Sequence, residues 1–143
     1  LQLLFEGAIF WKYLSHAVRV KQNGKNSRED FAKGAWMRVY GIKSCDTVRK
    51  AMKELAAGGH EPVLQDIRED PLQPSDLQAF LDTFGEALVN KRSTTWRGLD
   101  EAERAGDPAK LIAAHPTLMK RPVVVDGETR TLGWDQAARA VWL

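Results

Sequence analysis

Cysteine is almost missing from this chain: Cys45 is the single thiol in 143 residues. One thiol excludes an intrachain disulfide framework and suits a reducing compartment. Long apolar runs are missing too, since no stretch approaches the roughly 20 residues that span a bilayer. The most apolar segment, LQLLFEGAIFWKYLSHAV, is interrupted by Glu6 and Lys12 and has neither a basic leader nor an initiator Met, so it does not read as a signal peptide. A cytoplasmic protein with no membrane partner is expected. Histidine is scarce: His16, His60 and His115 are scattered, and with one cysteine they offer no metal-ligand spacing. No metal and no bound cofactor are expected. A Gly-rich phosphate loop and a Ser-His-Asp arrangement are also absent.

A strong charge imbalance is lacking as well. The formal net charge is +2, and it is unevenly placed. Residues 1–36 carry six Lys/Arg against three acids, whereas residues 37–143 carry fifteen against sixteen. The basic balance therefore belongs to the N-terminal stretch, and the body has no electrostatic footprint for nucleic acid. The 43% apolar content is enough for one ordinary core.

What is present divides in two. Residues 1–36 read as an N-terminal extension: an amphipathic helix to about Val20, then the polar linker KQNGKNSRED. It is either an accessory or artificial segment, with Met37 the natural start, or a genuine helix that covers Leu3, Leu4, Phe5, Ile9, Phe10 and Trp11 against this or a neighbouring molecule. Residues 37–143 read as a single domain. MRVYGI is a strand and Asp46 to Ala57 a helix, with Val48, Met52 and Leu55 on one face. GG at 58–59 stops that helix, and PVLQDI is a second strand. PSDLQAFLDTFG is a helix opened by a Ser75–Gln78 capping box. Two more helical stretches start at Leu99 and at Asp107-Pro108. RPVVVDGETRTLG is a hairpin turning at Asp126-Gly127, and WDQAARAVWL closes the chain as a helix. The order β-α-β, helical insert, β-β-α is that of an α/β thioredoxin-like fold, a mixed β-sheet flanked by helices, with an α-helical insertion between its two halves.

Cys45 falls between the end of a strand and the start of a helix. A thiol there faces unpaired backbone N–H groups and the positive end of the helix dipole. Both favour the thiolate, the nucleophilic form, and the same N–H groups cradle anions. Lys43, Arg49 and Lys50 add positive field. On position alone a buried structural cysteine is an equal alternative.

YGIKSCDTVRKA, NKRSTTWRGLDE and LMKRPVVV, in that order and spacing, resemble the arsenate-reductase-like (ArsC/Spx) family, in particular its YffB-like branch. The resemblance covers about Met37 to Leu143. It implies thiol redox chemistry with Cys45 as nucleophile, and a cis peptide at Arg121-Pro122, with Pro122 facing the cysteine and Arg121 directed at a bound anion. Arg92 and Arg97 would complete a basic rim, while Trp96 reads as a packing residue; Lys43, by its position beside the thiol, is a further anion-binding candidate.

The sequence also departs from the family. Classical members surround the cysteine with three arginines; here Asn90 and Gly133 stand near two of those positions and only Arg121 is kept. Spx proteins often carry Cys-x-x-Cys, where this chain has Val48. Turnover would then need an external thiol such as glutathione. The expectation is a glutathione-dependent, monothiol oxidoreductase acting on a small thiol or oxyanion, with glutaredoxin or another protein as partner. An Spx-like binding module contacting RNA polymerase, or a weak arsenate reductase, is the alternative.

Overall fold

The computed structural model describes residues 37–143; the expected helix and linker of the extension, with His16, lie outside the described residues. Strand β1 (Arg38–Gly41) leads through a short loop into helix α1 (Asp46–Ala57) and strand β2 (Val63–Asp66). Helices α2 (Pro74–Phe84), α3 (Thr94–Gly98), α4 (Glu101–Arg104) and α5 (Pro108–Ala114) form the insert. Strands β3 (Val123–Asp126) and β4 (Thr129–Leu132) and helix α6 (Gln136–Trp142) complete the domain. The sheet order is β2-β1-β3-β4; β1 and β2 are parallel and the other pairs antiparallel. This is the mixed sheet of a thioredoxin-like fold, with the helical insertion where the sequence places it.

The pleat explains the two-sided core. Neighbours along a strand point to opposite faces, so Val39 and Val124 join Val48, Ala51, Leu55 and Trp134 on the α1 side. Tyr40 and Val123 join Phe80, Leu88, Leu118 and Met119 under the insert. Tyr40 meets Phe80 edge-on, with ring centroids 5.0 Å apart.

One expected start signal is wrong. Helix α2 begins at Pro74 with Gln73 as its unbonded cap, and the Gln78 amide bonds Asp82 instead of closing a box with Ser75. Proline suits the first helical position because its missing N–H would have no partner there, which moves the cap two residues back from Ser75 to Gln73. The capping box belongs to α4, where Asp100 and Glu103 satisfy each other's backbone N–H groups at 2.7 and 2.8 Å. Helix α3, unexpected from the sequence, is capped by Ser93 Oγ, which accepts from the Trp96 N–H at 3.1 Å.

A single carboxylate fastens the C-terminal region to α1. Glu54 Oε2 accepts from Trp134 Nε1 at 2.7 Å and from Arg139 Nε at 2.9 Å. The Trp134 bond, assisted by the Arg139 charge and opposed by desolvation, holds Glu54 below the ordinary glutamate range. A carboxyl depressed in the fold adds stability above its unfolded value, about 4.3, and loses it as pH falls through the folded value. The urea midpoint is therefore expected to drop on going from pH 6 to pH 3. Glu54→Gln should unfold more easily at pH 6 and show a smaller acid loss. Parallel pH profiles for the two proteins would contradict this role.

Candidate active site

The loop after β1 makes a tight turn in which the Cys45 N–H donates to the Ile42 carbonyl at 2.9 Å. Cys45 is the N-cap of the twelve-residue α1, with extended backbone (φ −80°, ψ 124°), and its carbonyl accepts the Arg49 N–H at 3.0 Å. Its side chain makes no capping bond, so the sulfur is not committed to holding the helix. The thiol is half-buried and touches both core clusters. What sets the helix this close to the strand is Gly41. A Cβ at that position would lie 2.6 and 3.0 Å from the two methyls of Val48.

Strand β2 braces the loop. Its parallel register places Asp66 beside Gly41. Asp66 accepts the Lys43 N–H at 2.9 Å and the Arg68 N–H at 3.0 Å. Burial pushes the Asp66 carboxyl up, but those two N–H groups and the neighbouring charges outweigh it and hold the group below the usual carboxylate range. Arg68 Nη2 donates to Ser44 Oγ at 2.9 Å, one residue before the thiol. Lys43, expected to add positive field at the thiol, directs its ammonium to Glu69; that hydrogen bond and charge raise its pKa. Arg49 is likewise paired with Asp46. Sequence reasoning missed Ser44, Asp66 and Arg68, because only the β1–β2 pairing brings them together.

The other wall comes from β3. Tyr40 pairs with Val123, which brings Gly41 and Pro122 to the same end of the sheet. The Arg121-Pro122 peptide is cis and Pro122 is fully buried. The half-buried Arg121 uses Nη1 to donate to the Thr117 carbonyl at 3.2 Å. The Asn90 N–H donates to Leu118 O and the Lys120 N–H to Leu88 O, both at 2.7 Å, so the segment leading to Arg92 runs alongside the one leading to Arg121. The two stretches are also tied by the Thr95 and Thr117 hydroxyls, 2.9 Å apart.

Arg92 and Arg97 are exposed, and neither side chain bonds another described residue. The Arg97 carbonyl accepts from Arg104, which ties that residue to the insert and not to the cysteine loop. Trp96 packs on the core, with the Lys91 ammonium 5.8 Å and the Arg104 guanidinium 5.7 Å from its ring. Gly133 (φ +78°) donates to the Pro122 carbonyl at 2.8 Å. The Lys120 side chain crosses above Gly133, its Cε 3.4 Å from where a Cβ would stand. Lys120, unremarked in the sequence beside Arg121, thus puts a positive charge next to the position where the family pattern has an arginine.

His60 Nε2 donates to the Trp142 carbonyl, 2.7 Å away, and His115 ends α5. Among the described residues no group of three or more His, Cys, Asp or Glu could hold a metal, and no helix is long and apolar enough to cross a membrane.

The chain is similar to known proteins in sequence and in fold. An uncharacterized protein of Haemophilus influenzae is 43% identical over 103 residues, covering 68% of this chain and 90% of the relative. The global transcriptional regulator Spx of Streptococcus pyogenes is 30% identical over 101 residues, covering 65% of this chain and 74% of its own length. A solved YffB protein superposes with a TM-score of 0.69 at 30% identity, covering 75% of this chain and 98% of that one. The ArsC family model matches residues 40–140, a span that takes in the cysteine loop, the insert, the cis-proline strand and the hairpin, and the chain belongs to the ArsC family.

Proposed function

We propose that the protein is a glutathione-dependent thiol oxidoreductase that works with one nucleophilic cysteine. The observation that carries the reading is Cys45 as the unbonded N-cap of α1, half-exposed on a loop braced by Asp66 and Arg68. In the first step the Cys45 thiolate attacks the glutathione sulfur of a mixed disulfide. A Cys45–glutathione disulfide forms, the substrate S–S bond breaks, and the substrate thiolate leaves and takes a proton. In the second step a glutathione thiolate attacks the bound glutathione sulfur, which frees Cys45 and releases glutathione disulfide. Together the two steps turn one mixed disulfide and one glutathione into the free substrate thiol and one glutathione disulfide, so one disulfide is consumed and one is formed. The helix N–H groups are suited to the charge on the sulfurs in both steps. Such a cycle needs the thiol pool of the cytoplasm, and we place the protein there. The test is mass analysis after exposure to glutathione disulfide, with reduction of a mixed disulfide followed through glutathione reductase. A single adduct on Cys45 and saturable turnover are expected; an unmodified Cys45 overturns the reading.

The identity with Spx favours a second reading, a redox-sensing binding module for RNA polymerase. Capture of polymerase subunits by both the native and the Cys45→Ser protein would select it. Arsenate reduction ranks below both because Asn90 and Gly133 replace arginines of the family pattern. Arsenate-dependent oxidation of glutathione with glutaredoxin supplied would restore it.

A further inference from the structure

The cations around the thiol loop are not equivalent. Lys43 is spent on Glu69 and Arg49 on Asp46. Lys50 lies one residue beyond Arg49 on α1, and its charge falls on Glu54. Arg68 also lends its charge to the neighbouring Asp66. Unlike Lys43 and Arg49, however, among the described residues its guanidinium forms no ion pair with a carboxylate, and its one side-chain bond goes to the Ser44 hydroxyl. The nearest acids are already engaged: Asp66 accepts the Lys43 and Arg68 backbone N–H groups, and Glu69 takes the Lys43 ammonium. A guanidinium has five N–H donors in a planar fork matched to a carboxylate. Here one donor orients the fork on the residue preceding Cys45, and the remaining donors are left for a ligand. Arg68 is exposed, so that ligand arrives from solvent.

We propose that Arg68 is a specificity-determining residue, binding a carboxylate of the molecule that reacts at Cys45 and so selecting anionic thiols and disulfides over neutral ones. This rests on the thiol-reductase reading and deepens it, since glutathione carries carboxylates on both sides of its sulfur. Ser44 is the positioning residue: its hydroxyl fixes where the guanidinium sits relative to the thiol.

The test uses reagents of similar size and different charge. Iodoacetate and iodoacetamide both alkylate a thiolate with loss of iodide, and only the first presents a carboxylate. The ratio of their rate constants at Cys45 is measured at low salt for the native chain, Arg68→Gln, Arg68→Lys, Ser44→Ala and, as a control for net charge, the remote Lys110→Gln. Arg68→Gln is expected to lower the iodoacetate-to-iodoacetamide ratio about five- to tenfold. Arg68→Lys, which keeps the charge and loses the fork, should lower it by about half as much on a logarithmic scale. Ser44→Ala should fall between Arg68→Lys and native, and Lys110→Gln should match native.

Exchange with glutathione disulfide, compared with the neutral 2-hydroxyethyl disulfide, should follow the same order. If Arg68→Gln slows both members of each pair equally, the arginine only holds the loop and the inference fails. If it slows neither, the inference also fails. A native protein with a charge-selective alkylation ratio that Arg68→Gln abolishes, yet with no glutathione adduct, would uphold the carboxylate site and overturn the thiol-reductase reading. An adduct insensitive to Arg68 would do the reverse.

Discussion

Cys45→Ser is expected to abolish both the glutathione adduct and reductase turnover while leaving the fold in place. A serine hydroxyl cannot form the mixed disulfide, and the chain has no second thiol to take over. Loss should therefore be complete, in contrast to the partial loss seen when a neighbouring group supports the nucleophile. Cys45 is the half-buried N-cap of α1, a position that serine suits, so the stability change should stay within about 1 kcal/mol. Urea unfolding of the two proteins checks the second half of the expectation, and mass analysis the first. Residual turnover in Cys45→Ser at native rates would move the chemistry away from this loop altogether.

The second large effect lies at Gly41. Added to this backbone, an alanine Cβ would stand 2.6 Å from one Val48 methyl and 3.0 Å from the other. Val48 is completely buried and β-branched, so its rotamer has little room to change. The helix has to move off the strand, and overpacking of this kind costs about 1–3 kcal/mol. Because Cys45 caps that same helix, Gly41→Ala should also alter the rate at which the thiol is alkylated. Val48→Ala removes both methyls and is expected to rescue the variant. The double-mutant cycle should show a favourable coupling of about 0.5–3 kcal/mol. Strict additivity, or a Gly41→Ala protein as stable as the native one, would show that the contact relaxes at no cost. The residue that stands in place of an Spx-type second cysteine thus has a packing task of its own.

Much of this architecture was legible because its elements carry long or paired signals. The α1 face is set by Val48 and Leu55, and its observed bounds, Asp46–Ala57, are those read from the pattern. The hairpin follows from the apolar run before Asp126 and from Gly127, whose φ of +58° the turn requires. Short elements carried less. Helix α3 opens on two threonines, poor helix formers, and exists because Ser93 caps it and Trp96 packs on the core. The Ser75–Gln78 pair had the right spacing for a box, but Pro74 fixed the start ahead of it. At the site, the sequence pointed to Cys45, Arg121 and Pro122 through local motifs and resemblance. It was silent on the Asp66–Arg68 brace, because strand pairing and not sequence proximity joins Ser44 to Arg68.

The antiparallel β1–β3 seam, in which residue 40 lies against residue 123, has a consequence for the order of events as the chain is made. Every residue of β1, α1 and the whole insert leaves the ribosome before β3 exists. Closing so long a loop makes the seam a high-contact-order step. Until it closes, the loop that carries Cys45 lacks the Pro122 end of β3 beside Gly41. Neither half of the chain carries the site alone. The selective reactivity we propose for Cys45 is therefore expected to be acquired last, and its appearance during refolding would mark the moment at which the two halves of the sheet have found each other.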